Sequence, residues 1–291
     1  MLEAVPNVSE GRDRAVVHAI ATAFGGGDAR LLDVHSDEDH HRAVLTLAGS
    51  AEALCEALVA GARVALAAID LRLHDGVHPR VGAVDVVPLV PILGAPMTLA
   101  RETALAVADR IGGELGVPVF LYGEVGAGRR PADFRRGGLE ELVRRTEAGE
   151  VVPHAGPHRV DRRAGAVLVG ARLPLVAYNV VLATRDAAAA REIAAVVRES
   201  GGGMPGVQAI GLELPRSGLV QVSMNVLDLE RSPLHEVVAE VGRLAGERGI
   251  LVAGGELVGL VPESVLAAAV AAGAEVPGVN ASRVLERRLA L

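Results

Sequence analysis

Two histidines four residues apart, His74 and His78, are the side chains best suited to moving a proton. They lie in the stretch His74-Asp75-Gly76-Val77-His78-Pro79-Arg80-Val81-Gly82. On a helix this spacing would place both rings on one side. Gly76 and Pro79 oppose a helix, and Pro79 drives His78 into extended backbone. The stretch reads as a loop that displays imidazole and guanidinium groups side by side, ahead of a buried strand. Imidazole titrates near neutrality and so suits acid–base work. From residue types alone that reading and an ordinary solvated loop weigh evenly, and neither histidine is preferred.

Three further segments look unlike scaffold. Val5-Pro6-Asn7-Val8-Ser9-Glu10-Gly11 is polar and turn-forming directly after a short strand. It reads as the start of a helix with Ser9 as cap, or as an amide and hydroxyl presented at a strand end. Asp33 to Arg42 gathers four acids and the histidines His35, His40 and His41, which invites a metal reading, yet no ligand set at fixed spacing stands out. Gly156-Pro157-His158-Arg159-Val160-Asp161-Arg162-Arg163-Ala164-Gly165 is either a flexible interdomain connector or a basic loop that clamps carboxylates, since the planar guanidinium binds them bidentately.

The elements that must position these groups follow from periodicity. Half of the 291 residues are hydrophobic and only 2% aromatic, so the core must be built from Ala, Val, Leu and Ile. Strand, helix, strand, strand, helix, strand is expected over residues 2–91 and again over 175–252, the split βαβ order. Helices are expected at 12–24, 51–70, 98–115, 187–199 and 233–249, a loop over 123–138, a strand at 250–252 and an Arg-rich surface helix over 280–291. The fold class is α/β (α+β): two split-βαβ, ferredoxin-like subdomains, 1–174 and 175–291, with helices on the outer faces and a ligand cleft or tunnel between them.

Composition removes several classes. The formal net charge is −7 with no long basic run, so no nucleic-acid footprint is present. Cys55, the single cysteine, excludes an internal disulfide and reads as a small core residue. No signal peptide is read at the start and no 18-residue stretch is free of charge, so no membrane span and a cytoplasmic location are expected.

Taken in order, Val5 to Gly11, Leu31-Leu32-Asp33-Val34, His74 to Val81, Gly82 to Pro88, Gly113 to Tyr122, Gly165-Ala166, Gly170 to Arg172, Leu175 to Asn179, Gln208 to Gly211, Gln221 to Asn225 and Gly255 to Pro262 resemble the glutamate formimidoyltransferase family. The resemblance implies transfer of the formimino group from N-formimino-L-glutamate to N5 of tetrahydrofolate, late in histidine degradation. It implies tetrahydrofolate as co-substrate, no metal, and a homodimer. It singles out His78, in His-Pro-Arg, as the catalytic residue. It assigns the folate loop to Gly156–Gly165 and places Asn7 and Tyr122 in the pocket. Arg80 and the loop arginines Arg159, Arg162 and Arg163 become candidate partners for substrate carboxylates.

The chain departs from the family pattern at Val77, where an acid is usual, and at His41, where Asn is frequent; its folate loop has no aromatic residue. A cyclodeaminase domain is not expected in this chain. Other readings stand beside the first: a related formyl transfer, a metal-dependent hydrolase using His35, Asp39, His40, His41, His74 and His78, and a folate-binding protein with impaired catalysis.

Overall fold

The computed structural model describes residues 1–290, which form two compact units, one from Met1 to Leu173 and one from Pro174 onward. The first unit begins with strands β1 (Leu2–Ala4) and β2 (Asn7–Val8), helix α1 (Arg14–Phe24), the hairpin β3 (Arg30–Asp37) and β4 (Arg42–Gly49), helix α2 (Ala51–Ala68) and strand β5 (Val84–Pro91). It continues through α3 (Met97–Leu115), β6 (Val119–Gly123), α4 (Pro131–Arg135), α5 (Gly138–Glu147) and β7 (Val167–Ala171).

β1 and β2 share one place, between β4 and β5. Val5-Pro6 divides them, because Pro6 has no N–H to give a ladder; its carbonyl still accepts from the Leu45 amide at 3.0 Å. The sheet runs β3, β4, β1 with β2, β5, β7, β6, antiparallel as far as β5 and parallel beyond it. Helices α1 to α3 cover one face, where Phe24, Leu58 and Ile111 pack on Leu45, Val84 and Leu89. On the other face, α4 and α5 bring Phe134 and Leu142 onto Val86, Phe120 and Leu168.

The second unit has β8 (Val176–Leu182), α6 (Ala187–Val197), β9 (Val207–Leu214), β10 (Leu219–Val226), α7 (Leu234–Gly246), β11 (Val252–Val258), α8 (Glu263–Ala271) and α9 (Leu285–Ala290). Its four strands run β11, β8, β10, β9, all antiparallel. This is the order of β5, β1, β4 and β3 in the first unit, so both units are split βαβ sheets. Ile193, Val237 and Val241 from α6 and α7 pack on Val180 and Val222.

Several local expectations change. Asp13, not Ser9, caps α1, accepting from the Ala15 amide at 2.9 Å and the Val16 amide at 3.1 Å. Ser9 Oγ is turned inward and donates to the Gly82 carbonyl at 2.8 Å. The stretch 123–138, expected as loop, contains α4, which Pro131 opens at its first turn. The last strand of the second unit begins at Val252 rather than ending there. Residues 156–165 do not connect the two units; they lie inside the first, ahead of β7. The expected C-terminal surface helix becomes a 3-10 turn at Ala281–Arg283 and α9, with Val284 and Leu285 buried; Leu291 lies outside the described residues. Among the described residues no helix is long and apolar enough to cross a membrane.

Candidate active site

β2 ends at Val8, which faces Ala43 at the start of β4 and Val84 at the start of β5. The β2–α1 segment, the β3–β4 turn and the α2–β5 connection therefore leave the same end of the first sheet. They are stitched together there. The Val77 amide donates to the Asp39 carbonyl at 3.1 Å. Arg80 Nη2 donates to the carbonyls of Gly76 at 2.6 Å, of His40 at 3.4 Å and of His78. A Cβ on Gly76 would stand 2.2 Å from the His40 carbonyl oxygen, so only glycine lets the connection run this close to the turn.

His74 and His78 are treated very differently. A backbone N–H can only donate, so His74 Nδ1, which receives the Gly76 amide at 3.1 Å, is unprotonated; Nε2–H then donates to the His41 carbonyl at 2.8 Å. The ring also stacks on His41, centroids 4.1 Å apart. Burial, followed by repulsion from Arg80, brings its pKa down to about 4. Both nitrogens of His74 thus hold backbone, and the ring is neutral at pH 7.

Guanidinium likewise can only donate. Arg42 Nη1 lies 2.7 Å from His78 Nε2, so Nε2 carries the lone pair and Nδ1–H donates to the Pro79 carbonyl at 2.8 Å. Burial, then the charges of Arg42, Arg135 and His40, push His78 well below the usual imidazole range, against the Nδ1 bond. The result is a half-buried neutral imidazole in one fixed tautomer, the form a general base requires.

Charge is concentrated around it. Burial lowers Arg42 and Arg80 to about 10, and both remain cationic at pH 7. Arg135 donates from Nη2 to Asp85 Oδ2, while Asp85 Oδ1 accepts the Val81 amide at 2.8 Å. Asn7 pairs with Val86 and Val8 with Val84, so Asp85 is the surplus residue of a bulge in β5, a device that re-aims a side chain. Glu10 is held as a carboxylate: burial opposes its ionisation, but the amides of Asp13 and Arg12 and the His41 ring lower its pKa.

The remaining candidates distribute as follows. Asn7, in β2, is buried; its Nδ2 donates to the Val5 carbonyl at 2.7 Å and its Oδ1 has no partner. Tyr122, in β6, is buried against Gly170 of β7, where a Cβ would meet its ring at 2.6 Å. Burial raises its hydroxyl to about 12 against the charges of Arg172 and Arg135. Residues 156–165 run beside the His78 connection: Leu71 N donates to the Arg163 carbonyl at 2.9 Å, and Ala83 N to the Ala164 carbonyl at 2.8 Å. Gly156 and Gly165 bracket the loop with positive φ; Val160 is buried, and Asp161 Oδ1 receives the Arg163 and Ala164 amides. Arg162 is bidentate to Glu140, and Arg163 donates to the Leu66 and Ala67 carbonyls at the end of α2. Pro157, His158 and Arg159 are exposed.

The structure thus brings His78 and Arg80 together with Arg42, Asp85 and Arg135, none of which was singled out from sequence. A signal existed for Asp85: a lone acid in the run Ala83-Val84-Asp85-Val86-Val87 needs a buried partner. Among the described residues no three of His, Cys, Asp and Glu converge as a metal-ligand set. In the second unit, Asn179 sits in register with Ser223 and Glu256, and its Nδ2 donates to Glu256 Oε2 at 3.2 Å.

Fold and site define an α+β protein of two split βαβ units with a neutral, tautomer-fixed imidazole at the end of the first sheet. Residues 1–172 match the family model "Formiminotransferase domain, N-terminal subdomain", and residues 177–273 match "Formiminotransferase domain". The chain is 38% identical to a glutamate formimidoyltransferase of Streptococcus pyogenes serotype M1, over 91% of this chain and 90% of the relative. It is 35% identical to one of Thermoplasma acidophilum, over 99% and 97%. A formimidoyltransferase-cyclodeaminase of Sus scrofa is 42% identical over 90% of this chain and 50% of its own length. The chain belongs to the formiminotransferase family.

Proposed function

We propose that this protein transfers the formimino group of N-formimino-L-glutamate to N5 of tetrahydrofolate, as a step in histidine degradation, with His78 carrying the proton. The observation that supports this most directly is the state of His78: neutral, with Nδ1–H tied to the Pro79 carbonyl and the lone pair on Nε2. As N5 bonds to the amidinium carbon, its proton passes to Nε2. The imidazolium returns that proton to the glutamate nitrogen as the old C–N bond breaks, freeing glutamate and leaving the formimino group on N5. Only amines surround the reacting carbon, so this route calls on neither an oxyanion hole nor a metal. Metal analysis of active protein tests the latter point; activity that depends on a stoichiometric metal would refute it.

Tetrahydrofolate is a co-substrate here, and a folate offers an apolar ring system and an anionic glutamate tail. The 156–165 loop, Asn7 with its unpartnered Oδ1 and the buried Tyr122 fit such a ligand. Arg159 fits the tail carboxylates, whereas Arg162 and Arg163 already have protein partners. The family resemblance also supports a homodimer working in the cytoplasm, which light scattering and fractionation test. The decisive assay is turnover of formiminoglutamate with tetrahydrofolate, with formylglutamate as control donor. The expected result is transfer from the formimino donor and its loss in His78→Ala; preference for the formyl donor would overturn the choice of group.

A further inference from the structure

The base in this site is capped. Arg42 Nη1 occupies the lone pair of His78 Nε2 at 2.7 Å, and a lone pair engaged by a donor cannot take a proton. The charged groups acting on His78 are Arg42 from β4, Arg135 from α4 and His40 from the β3–β4 turn, while Arg80 donates to its carbonyl. Asp85 from β5 and Asp37 from β3 offset Arg42, and Asp85 and the exposed Asp75 offset Arg80. Three guanidiniums therefore meet one buried carboxylate. Two of them are also incompletely bonded: the Nε–H groups of Arg42 and Arg135 are buried with no partner. Buried donors left unmade next to excess positive charge are costly unless an anion arrives to take them.

We propose that Arg42 and Arg135 form the subsite for the α-carboxylate of the amino-acid donor, and that this carboxylate draws Arg42 off His78 Nε2 and so frees the base. The inference rests on the reading of His78 as the proton carrier. The donor's α-carboxylate is favoured over a folate carboxylate by connectivity. It sits on the carbon that bears the leaving nitrogen, so it is always next to the reacting centre. The glutamate of a folate is separated from N5 by an aromatic ring system and an amide. Charge-assisted hydrogen bonds suit a carboxylate that meets two neighbouring guanidiniums, each with a free Nε–H. The arrangement makes base catalysis conditional on the correct donor.

The test compares two donors on the full chain: N-formimino-L-glutamate and N-formimino-4-aminobutyrate, which lacks only the α-carboxylate. Wild-type protein is expected to prefer the first by about 10–100-fold in KM, the range for a hydrogen bond to a charged group. In Arg42→Met that preference collapses, and the acidic limb of the kcat/KM profile moves to higher pH, because the cation that repels imidazolium is gone. An unchanged donor preference in Arg42→Met overturns the proposal. A second measurement needs no variant: imidazole 15N spectra of the wild type titrated with L-glutamate. The His78 Nε2 resonance is expected to shift as Arg42 leaves it; saturation with glutamate without such a shift overturns the proposal. If His78→Ala retains turnover, the proton-carrier reading fails first. If His78→Ala is inactive while donor preference survives in Arg42→Met, only the Arg42 subsite fails.

Discussion

The same end of the same kind of sheet is built twice in this chain, with opposite outcomes. In the first unit the segments 9–13, 38–41 and 69–83 emerge there and carry Glu10, His40, His41, His74, His78 and Arg80. In the second unit the corresponding segments are 183–186, 215–218 and 247–251, and none holds a histidine. They close on themselves: Asp186 caps α6, the Ala183 amide donates to the Leu251 carbonyl at 2.8 Å, and Ser217 bonds within its own hairpin. The topology is shared, so topology does not make the site. The longer α2–β5 connection does, together with the two segments it is pinned against.

Five measurements can break or sharpen this contrast. The largest effect is expected for His78→Ala, with kcat lowered about 10²–10⁴-fold; near-normal turnover would remove the chemical difference between the two ends. Asp85→Ala should cost about 3–5 kcal/mol in chemical denaturation, since it leaves the Arg135 guanidinium buried without its carboxylate. A loss below 1 kcal/mol would show that the ion pair does not hold this end together.

His74→Ala should cost about 1–3 kcal/mol through the Gly76 amide and His41 carbonyl it leaves unmade, with turnover reduced far less than in His78→Ala. The pH dependence carries the same information. The folded pKa of His74, about 4, lies below the unfolded value near 6.5. Between these values the unfolded chain binds more protons, so the contribution of His74 is full above about pH 6.5 and is lost as pH falls towards 4. His78 acts in the same direction. Denaturation midpoints across that window should fall with pH in the wild type and fall less in His74→Ala; parallel curves would contradict it. The smallest effect belongs to the second unit: Ser217→Ala should change stability by no more than about 0.5 kcal/mol and leave turnover intact. A marked loss of activity there would mean that both ends take part.

Much of the scaffold was legible because it is periodic. Alternating and helical apolar spacing specified the split βαβ order in both units, and Gly76 with Pro79 correctly ruled out a helix through the two histidines. What escaped is set by long-range contacts. Ser9 and Asp13 are both acceptable caps, and only the docking of Ser9 Oγ on Gly82, 73 residues away, decides between them. Arg42 and His78 are 36 residues apart, Asp85 and Arg135 50 apart, and neither pairing leaves a local pattern. The tautomers of His74 and His78 depend on which donors reach them, so residue type could not rank one above the other. The arginines at 162 and 163 read as ligand groups because their partners, Glu140 and the end of α2, are remote in sequence.

The bulge at Asp85 has a consequence for how such a site can be gained or lost. Val84 and Val87 face the helix-covered core, while Val86 faces the other way. A strand one residue shorter, running Val84, Val86, Val87, keeps this alternation. The carboxylate is therefore supernumerary to the pleat. A single in-frame codon insertion can add the acid, and a deletion can remove it, without turning any apolar side chain to the wrong face. Substitution cannot do the same, because an acid at Val84, Val86 or Val87 would replace part of the core. Within this fold the polar cluster and the sheet can change independently, provided Arg135 changes with Asp85.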